Sequence, residues 1–287
     1  MSRTALVTDS TASLPPEVAE AHGITVVPLQ VVIGKQAYDE GGPDGASAGT
    51  VASALREGTP VSTSRPGPAR MLEAYERAAA GGASEVVSVH VSSELSGTYE
   101  SAQLAAKQAP LPVTTIDSRT LGLATGFAVL AAAEVLAAGG SAADAAETAR
   151  RRAGSSTSLF YVDTLEYLRR GGRIGAAAAL LGSALAVKPL LTIESGRVGM
   201  KEKVRTAGRA LSRLEELAVT AATGEVDLAV EHLANPERAE LLAESLRARL
   251  KEQLSGRDVV VGEVGAVIGA HVGPGMVAVV VSPREPA

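Results

Sequence analysis

Short runs of β-branched residues alternate with longer Ala- and Leu-rich stretches along the first half of the chain. TALVTDS, EVVSVHV and VTTID each read as a buried strand, ITVVPLQVVIG is strand-like, and PVSTSRPG is extended. Between them the pattern predicts helices. One is opened by Pro15 and Pro16, one runs from about Ser47 to Arg56, and one is started by Pro66. Another follows SSELSGTY, and a long Ala-rich one follows VTTID. KQAYDEGGPDGA, residues 35–46, reads as a loop rich in Gly, Asp and Pro. This β-α-β-α rhythm predicts a parallel, doubly wound sheet with helices on both faces.

A second pattern begins near Ala153. SLFYVD reads as a strand and TLEYLRR as a short helix. GGRIGAAAALLGSALAVKPLL combines a glycine turn, a helix and a strand carrying Pro189. LLTIESGRVGMKEK predicts a hairpin turning at Ser195-Gly196. Thr206 to Ala222 is an amphipathic helix, DLAVEHL a strand, and Pro236 to Leu254 a charged helix. VVVGEVG and MVAVVVS are strands flanking the glycine-rich GAVIGAHVGPG. The hairpin implies a mixed sheet. The expected fold is therefore α/β: a three-layer parallel-sheet domain over 1–153, then a two-layer mixed-sheet α+β domain over 154–287. A chain of 287 residues is long for one core and comfortable for two.

Composition narrows the function classes. The chain is 46% hydrophobic but only 2% aromatic, so Ala, Val, Leu and Ile must fill its interior. Small aliphatic walls suit a smooth alkyl ligand, and an Ala-rich proteome gives the same bias. Net charge is −5 with acids and bases mixed, and there is neither the basic stripe nor the stacking aromatics of a nucleic-acid binder. Without cysteine, disulfides, thiolate metal sites and a Cys nucleophile are excluded. No metal-ligand spacing appears. The most apolar stretch, Leu121 to Ala138, is interrupted by Thr125 and Glu134 and reads as a buried helix rather than a membrane span. No signal peptide is visible, so a cytoplasmic location is expected.

Three hydroxyl or imidazole clusters stand out. Ser93, Ser96, Gly97 and Thr98 lie in SSELSGTY, between a buried strand and a helix. Free N–H groups at such a helix start favour an anion, and helix capping alone is the alternative. Thr63 and Ser64 occupy the similar segment STSRP. His271 sits within GAHVGPG, where three glycines and a proline dictate a tight backbone path around one imidazole. Arg169, Arg170 and Arg173 flank a Gly-Gly turn, and Lys203 and Arg205 sit in KEKVRT. These two basic clusters could meet a phosphate or an acidic partner, or simply be solvated. His22, His90 and His232 have no partner cluster and read as structural. Gly45-Ala46-Ser47-Ala48-Gly49 fits the spacing of a nucleophile elbow, but a solvated loop precedes it, so Ser47 reads as a helix cap.

Taken in order, VTDSTASLP, VVPLQVVIG, PVSTSRP, HVSSELSGTY, IDSRTLGLATG, LFYVDTLEYLRRGGRIG, VKPLLTIESGRV, KVRT and IGAHVGPG resemble the DegV family over nearly the whole chain. The resemblance implies a parallel-sheet domain and a mixed-sheet domain with a fatty acid such as palmitate bound between them. It implies a carrier without chemistry of its own and with no cofactor, which presents the acyl carboxylate to a separate ATP-dependent fatty acid kinase. The family's carboxylate-binding positions fall on Thr63, Ser96 and His271, with Ser93, Ser64, Gly97 and Thr98 beside them. Its kinase-docking arginines fall on Arg173 and Arg205. Two residues depart from the pattern: Arg65 replaces a Gln, and Glu94 replaces a Gly, which would be strained if φ there were positive. Competing readings are a serine-type hydrolase or acyltransferase using Ser96 and His271 with an acid such as Asp9, and a carrier of another apolar carboxylate.

Overall fold

The computed structural model describes residues 3–42, 44–180 and 188–284. The chain opens with β1 (Thr4–Asp9), α1 (Pro16–Ala21) and β2 (Ile24–Val27), then β3 (Gln30–Ile33), β4 (Gln36–Asp39), α2 (Ala48–Arg56) and β5 (Val61–Ser64). There follow α3 (Pro68–Ala80), β6 (Glu85–His90), α4 (Thr98–Ala106), β7 (Val113–Asp117), α5 (Leu123–Ala137) and α6 (Ala142–Ser155). The second half contains β8 (Thr157–Tyr161), α7 (Glu166–Arg170), β9 (Lys188–Glu194), β10 (Arg197–Val204) and α8 (Ala207–Ala221). It ends with β11 (Val226–His232), α9 (Pro236–Arg249), α10 (Lys251–Leu254), β12 (Val260–Glu263), α11 (Ala266–Val272) and β13 (Val277–Pro283).

The first lobe is the expected three-layer α/β unit. Its sheet is parallel, in the order β2-β1-β6-β7. Val7, Val86, Met71 and Tyr75 form the core under α3 and α4, and Leu6, Val87, Ile116 and the alanines of α5 and α6 form the other. From β1 the chain steps outward to β2 and later returns on β1's opposite side as β6. The strand order therefore reverses at the carboxyl ends of β1 and β6, which opens a crevice there. The second lobe has a mixed sheet, β10-β9-β8-β13-β11-β12, in which β11 and β12 run parallel and the other neighbours antiparallel. Leu159, Tyr161, Leu228 and Val230 pack one face against α8 and α9. Phe160, Ala278 and Val280 lie on the opposite face by strand alternation, turned toward the first lobe.

Helix α5 lies between the two sheets. Val129 and Ala132 join the first lobe's core, while Leu123, Ala124 and Phe127 pack on Ala229 and Val280. Burial on more than one side explains why this segment is apolar nearly all round. Charged pairs add to the junction: Arg152 of α6 pairs with Asp227 of β11, and Arg284 donates to Glu134 of α5 at 2.7 Å.

Several local expectations need correction. ITVVPLQVVIG is not one strand. Pro28, which has no N–H to give a ladder, separates β2 from β3, and β3 enters a third, antiparallel sheet, β4-β3-β5. The loop expected over 35–46 contains β4, a strand with no buried residue and hence no apolar signature. The third helix starts at Pro68, capped by Gly67, rather than at Pro66. Its proline still occupies the first helical position, where a missing N–H costs nothing. The segment read only as glycine-rich, GAVIGAHVGPG, is helical over α11, where a Cβ at Gly269 would sit 3.2 Å from the Leu233 side chain. The helix expected before Pro189 appears as a 3-10 turn over Gly175–Leu180, and the rest of that expectation, 181–187, lies outside the described residues. The Ser195-Gly196 hairpin is present, with both residues at positive φ (50° and 82°), as a two-residue type I′ turn requires. Ser47 caps α2 through its Oγ, 3.1 Å from Thr50 N.

Candidate functional site

A cavity of about 460 Å³ lies at the crevice, between the carboxyl ends of β1 and β6 and the inward face of the second sheet. That volume falls in the range of small-molecule sites, roughly 300–1,000 Å³. Its walls are mostly aliphatic, with Leu29, Val91, Leu121, Val267 and Ile268 among them and Phe160 as the one aromatic side chain. No aromatic platform interrupts it, so the low aromatic content becomes a property of the cavity.

Polar groups gather where β5, α11 and the loop after β6 meet. In β5, Val61 and Thr63 are partly buried while Ser62 and Ser64 are exposed, so the two-residue period turns Thr63 inward. His271 comes from the last turn of α11, 208 residues later, and its Nε2 lies 2.9 Å from Thr63 Oγ1. Both line the cavity. The other ring nitrogen, Nδ1, is buried and has no partner. It abuts Gly171, where a Cβ would lie only 2.1 Å away. Burial, and secondarily the charge of Arg173, push the His271 pKa down to about 4, so the ring is neutral at physiological pH. With its proton on Nε2, His271 donates to Thr63 Oγ1, and the threonine hydroxyl is free to donate onward to a carboxylate.

Ser96 and Gly97 also line the cavity, in a turn closed by Ser96 N donating to Ser92 O at 3.0 Å. Ser96 Oγ lies 2.8 Å from Thr98 Oγ1 and accepts from Thr98 N at 3.3 Å, so it doubles as a cap on α4. Thus capping and cavity lining coincide in one residue. Thr98 itself is fully buried and not among the lining residues. Ser64 is in the lining, its hydroxyl turned to Arg65 O at 3.3 Å. Ser93 is not: its Oγ and N are held by the Asp117 carboxylate at 2.5 and 3.1 Å.

The two arginines occupy different settings. Arg173 lines the cavity and donates to Leu95 O at 3.0 Å and Gly171 O at 2.6 Å, tying the loop of Ser96 to the turn beside His271. Arg205 is exposed, just before α8 and away from the cavity lining. Arg169 and Arg170 both pair with Glu166 on α7.

The departures from the family pattern are accommodated. Arg65 lines the cavity and reaches over Gly97 to Gly97 O (3.1 Å) and Glu100 (2.6 Å); a Cβ at Gly97 would collide with its guanidinium. Glu94 is not among the residues at positive φ, so the anticipated strain is absent, and it accepts from Arg197 at 2.8 Å.

The triad that a hydrolase would need is not assembled. Asp9 bonds His90 at 3.0 Å, Ser96 bonds Thr98, and Thr63 bonds His271. Among the described residues no cluster of His, Asp and Glu could hold a metal ion, and no helix is long and apolar enough to cross a membrane.

Two acids at or beside the site belong to none of the sequence motifs. Glu40 accepts from Val267 N at 2.7 Å, anchoring the start of the helix that carries His271, and burial raises its pKa. Glu231 lines the cavity while only 4% exposed. An acid inside the apolar strand DLAVEHL was the available signal for it.

Known proteins share this fold. A solved DegV family protein from Thermus thermophilus, described by its fatty acid binding, superposes with a TM-score of 0.88 at 33% identity, covering 98% of this chain and 100% of its own. DegV of Bacillus subtilis, described as a fatty acid binding protein, gives 0.89 at 32% identity, covering 99% and 100%. A DegV domain-containing protein of Streptomyces coelicolor is 54% identical over 281 residues, 98% of each chain. The family model described as uncharacterised protein, DegV family, matches residues 3–284, and this chain belongs to that family.

Proposed function

We propose that this protein is a cytoplasmic carrier of a long-chain fatty acid, held between lobes of residues 1–153 and 154–287. On this reading it presents the acyl carboxylate to a separate ATP-dependent fatty acid kinase. The observation that carries the reading is the aliphatic cavity of about 460 Å³ with the Thr63–His271 pair in its wall, 2.9 Å apart. Similarity to proteins described as binding fatty acids supports it. Each methylene withdrawn from water contributes about 0.8 kcal/mol, so a palmitate-length tail gains roughly 12 kcal/mol gross before ordering costs. A charge-assisted hydrogen bond adds about 1.5–3 kcal/mol. The tail therefore sets affinity, while Thr63, Ser96 and His271 set which end faces outward.

Native mass spectrometry of the protein as purified from expression cells tests this. One long-chain fatty acid per chain is expected; a preparation that neither carries nor takes up such a lipid would exclude the carrier role. Thr63→Ala and Ser96→Ala are expected to lower acyl phosphate formation with the kinase more than they lower lipid content. For docking, Arg205→Ala is the cleaner variant, because Arg173 also braces the cavity wall. Arg205→Ala should keep its lipid and lose coupling to the kinase.

A further inference from the structure

We infer that Glu231 is a specificity-determining residue of the cavity and that the ligand is a fatty acid bearing a hydroxyl group along its chain. This rests on the fatty-acid reading and goes beyond it.

The register of the second sheet places the residue. Glu231 of β11 pairs with Ala278 of β13, which pairs with Phe160 of β8, and all three line the cavity. The neighbouring row, two residues along, is Ala229, Val280 and Ser158, of which Val280 and Ser158 line it too. A carboxyl and a hydroxyl thus stand in adjacent rows of an otherwise aliphatic floor. Neither belongs to the Thr63–His271 pair, which is carried by β5 and α11.

Both groups have hydrogen-bonding capacity left over. The two oxygens of Glu231 share the Leu123 N–H at 3.3 Å each, and the buried Ser13 hydroxyl, which has no other partner, is the one further donor beside the carboxyl. A carboxylate has roughly four acceptor positions, so a shared N–H and one hydroxyl leave room for a further donor. The nearest partner of Ser158 Oγ is Thr120 Oγ1 at 3.5 Å, the outer limit of a hydrogen bond. Thr11, the lining hydroxyl on the opposite wall, is spent on Asp9 at 2.5 Å. Close packing keeps the carboxyl in place, since a Cβ at Gly122 would meet it at 2.7 Å.

An unsubstituted alkyl chain laid over this floor would strip water from the carboxyl and return nothing. A hydroxyl returns a hydrogen bond in either protonation state, because it donates to a carboxylate and accepts from a carboxylic acid. That versatility matters here, as burial pushes the Glu231 pKa up to about 7 and both forms are populated near neutrality. A carbonyl on the chain, which only accepts, would fit one form alone.

The delipidated wild-type protein supplies the test, by competition binding of octadecanoic acid and its positional monohydroxy isomers. One isomer is expected to bind about tenfold more tightly than the unsubstituted acid, the difference one good hydrogen bond makes. Glu231→Gln should keep that preference, and Glu231→Leu should abolish or invert it. The inference is overturned if no isomer outcompetes octadecanoic acid, or if the advantage survives in Glu231→Leu. Octadecanoic acid binding with no hydroxyl preference would refute only this inference, whereas failure of every chain to bind would remove the carrier reading beneath it.

Discussion

Two histidines of this chain, His90 and His271, are held in opposite ways. His90, at the end of β6, has both nitrogens engaged, Nδ1 with Asp9 at 3.0 Å and Nε2 with Ser88 Oγ at 2.7 Å. Ser88 continues to Tyr75 OH at 3.0 Å, and Asp9 accepts further from Val91 N, Thr11 N and Thr11 Oγ1. The side chains of Asp9, Ser88, His90 and Tyr75 are wholly buried. His271 has one partner, Thr63, and a second nitrogen buried without any. The fully satisfied network contains the residue types of a Ser-His-Asp triad, yet no substrate atom can reach its serine. The incompletely satisfied imidazole is the one in the cavity wall. The contrast is between an imidazole whose hydrogen-bonding capacity is exhausted inside the core and one with capacity left over in the cavity wall.

The largest test of that contrast is Asp9→Ala. It strips the sealed network of the carboxylate that accepts from two side chains and two backbone amides, all out of water. A loss of about 3–5 kcal/mol is expected in urea unfolding. A loss below about 1 kcal/mol would mean that the network adds little to stability and that the two histidines differ less than their partners suggest.

Next in size is an acid effect specific to His271. Its folded pKa of about 4 lies below the 6.5 of an unstructured histidine, so folding favours the neutral ring. The stability this contributes is whole above pH 6.5 and is lost as pH falls through 4. The gap corresponds to roughly 3 kcal/mol. Unfolding of wild type and His271→Gln at pH 7.5 and pH 4 isolates it, because Glu40 and Glu231 titrate alike in both. Wild type should fall further on acidification by roughly that amount. Parallel declines would show that the imidazole is better solvated than its burial implies.

The sequence reveals the frame of this site better than its interior. β1, β6, β7, β8 and β13 are apolar runs bounded by turn residues, so periodicity finds them, and the Ser195-Gly196 hairpin follows from its turn chemistry. Thr63, Ser96 and His271 sit in recognisable motifs, but that Thr63 and His271 touch depends on a helix that the glycine-rich pattern does not announce. Gly269, Gly171 and Gly97 serve close approach by Leu233, His271 and Arg65, and spacing along the chain does not disclose what a missing Cβ makes room for. β4 escapes for the opposite reason, being an edge strand with nothing to bury. Glu231 and Glu40 acquire their roles from neighbours more than 100 residues distant, so local pattern could not assign them.

Thr63→Ala removes the one partner His271 has. It leaves a neutral imidazole with neither nitrogen bonded, and about 1–2 kcal/mol of stability should go with it. Thr63→Ser, which keeps the hydroxyl, should recover most of that loss in the same unfolding measurement. Equal losses in the two variants would assign the effect to the threonine methyl and its packing.

The smallest and most discriminating change is Arg173→Gln, read by NMR titration of the His271 ring. Two causes hold that pKa down: burial, the larger, and the nearby guanidinium, the smaller. Removing the cation while keeping a side chain that can donate to Leu95 O takes away the second cause alone. The pKa should rise part of the way toward 6.5 and stop well short of it, because the ring stays as deeply enclosed as before. A full return to 6.5 would mean that charge, not enclosure, governs the ring, and then His271 would resemble a surface histidine beside an arginine. No movement would mean that Arg173 is screened by solvent from the imidazole, which its place in the cavity wall argues against. Repeating the titration with lipid bound extends the same logic. A carboxylate brought to the Thr63–His271 pair adds an opposite charge beside the ring and must raise its pKa, more so in Arg173→Gln than in wild type if the guanidinium and the carboxylate pull against one another.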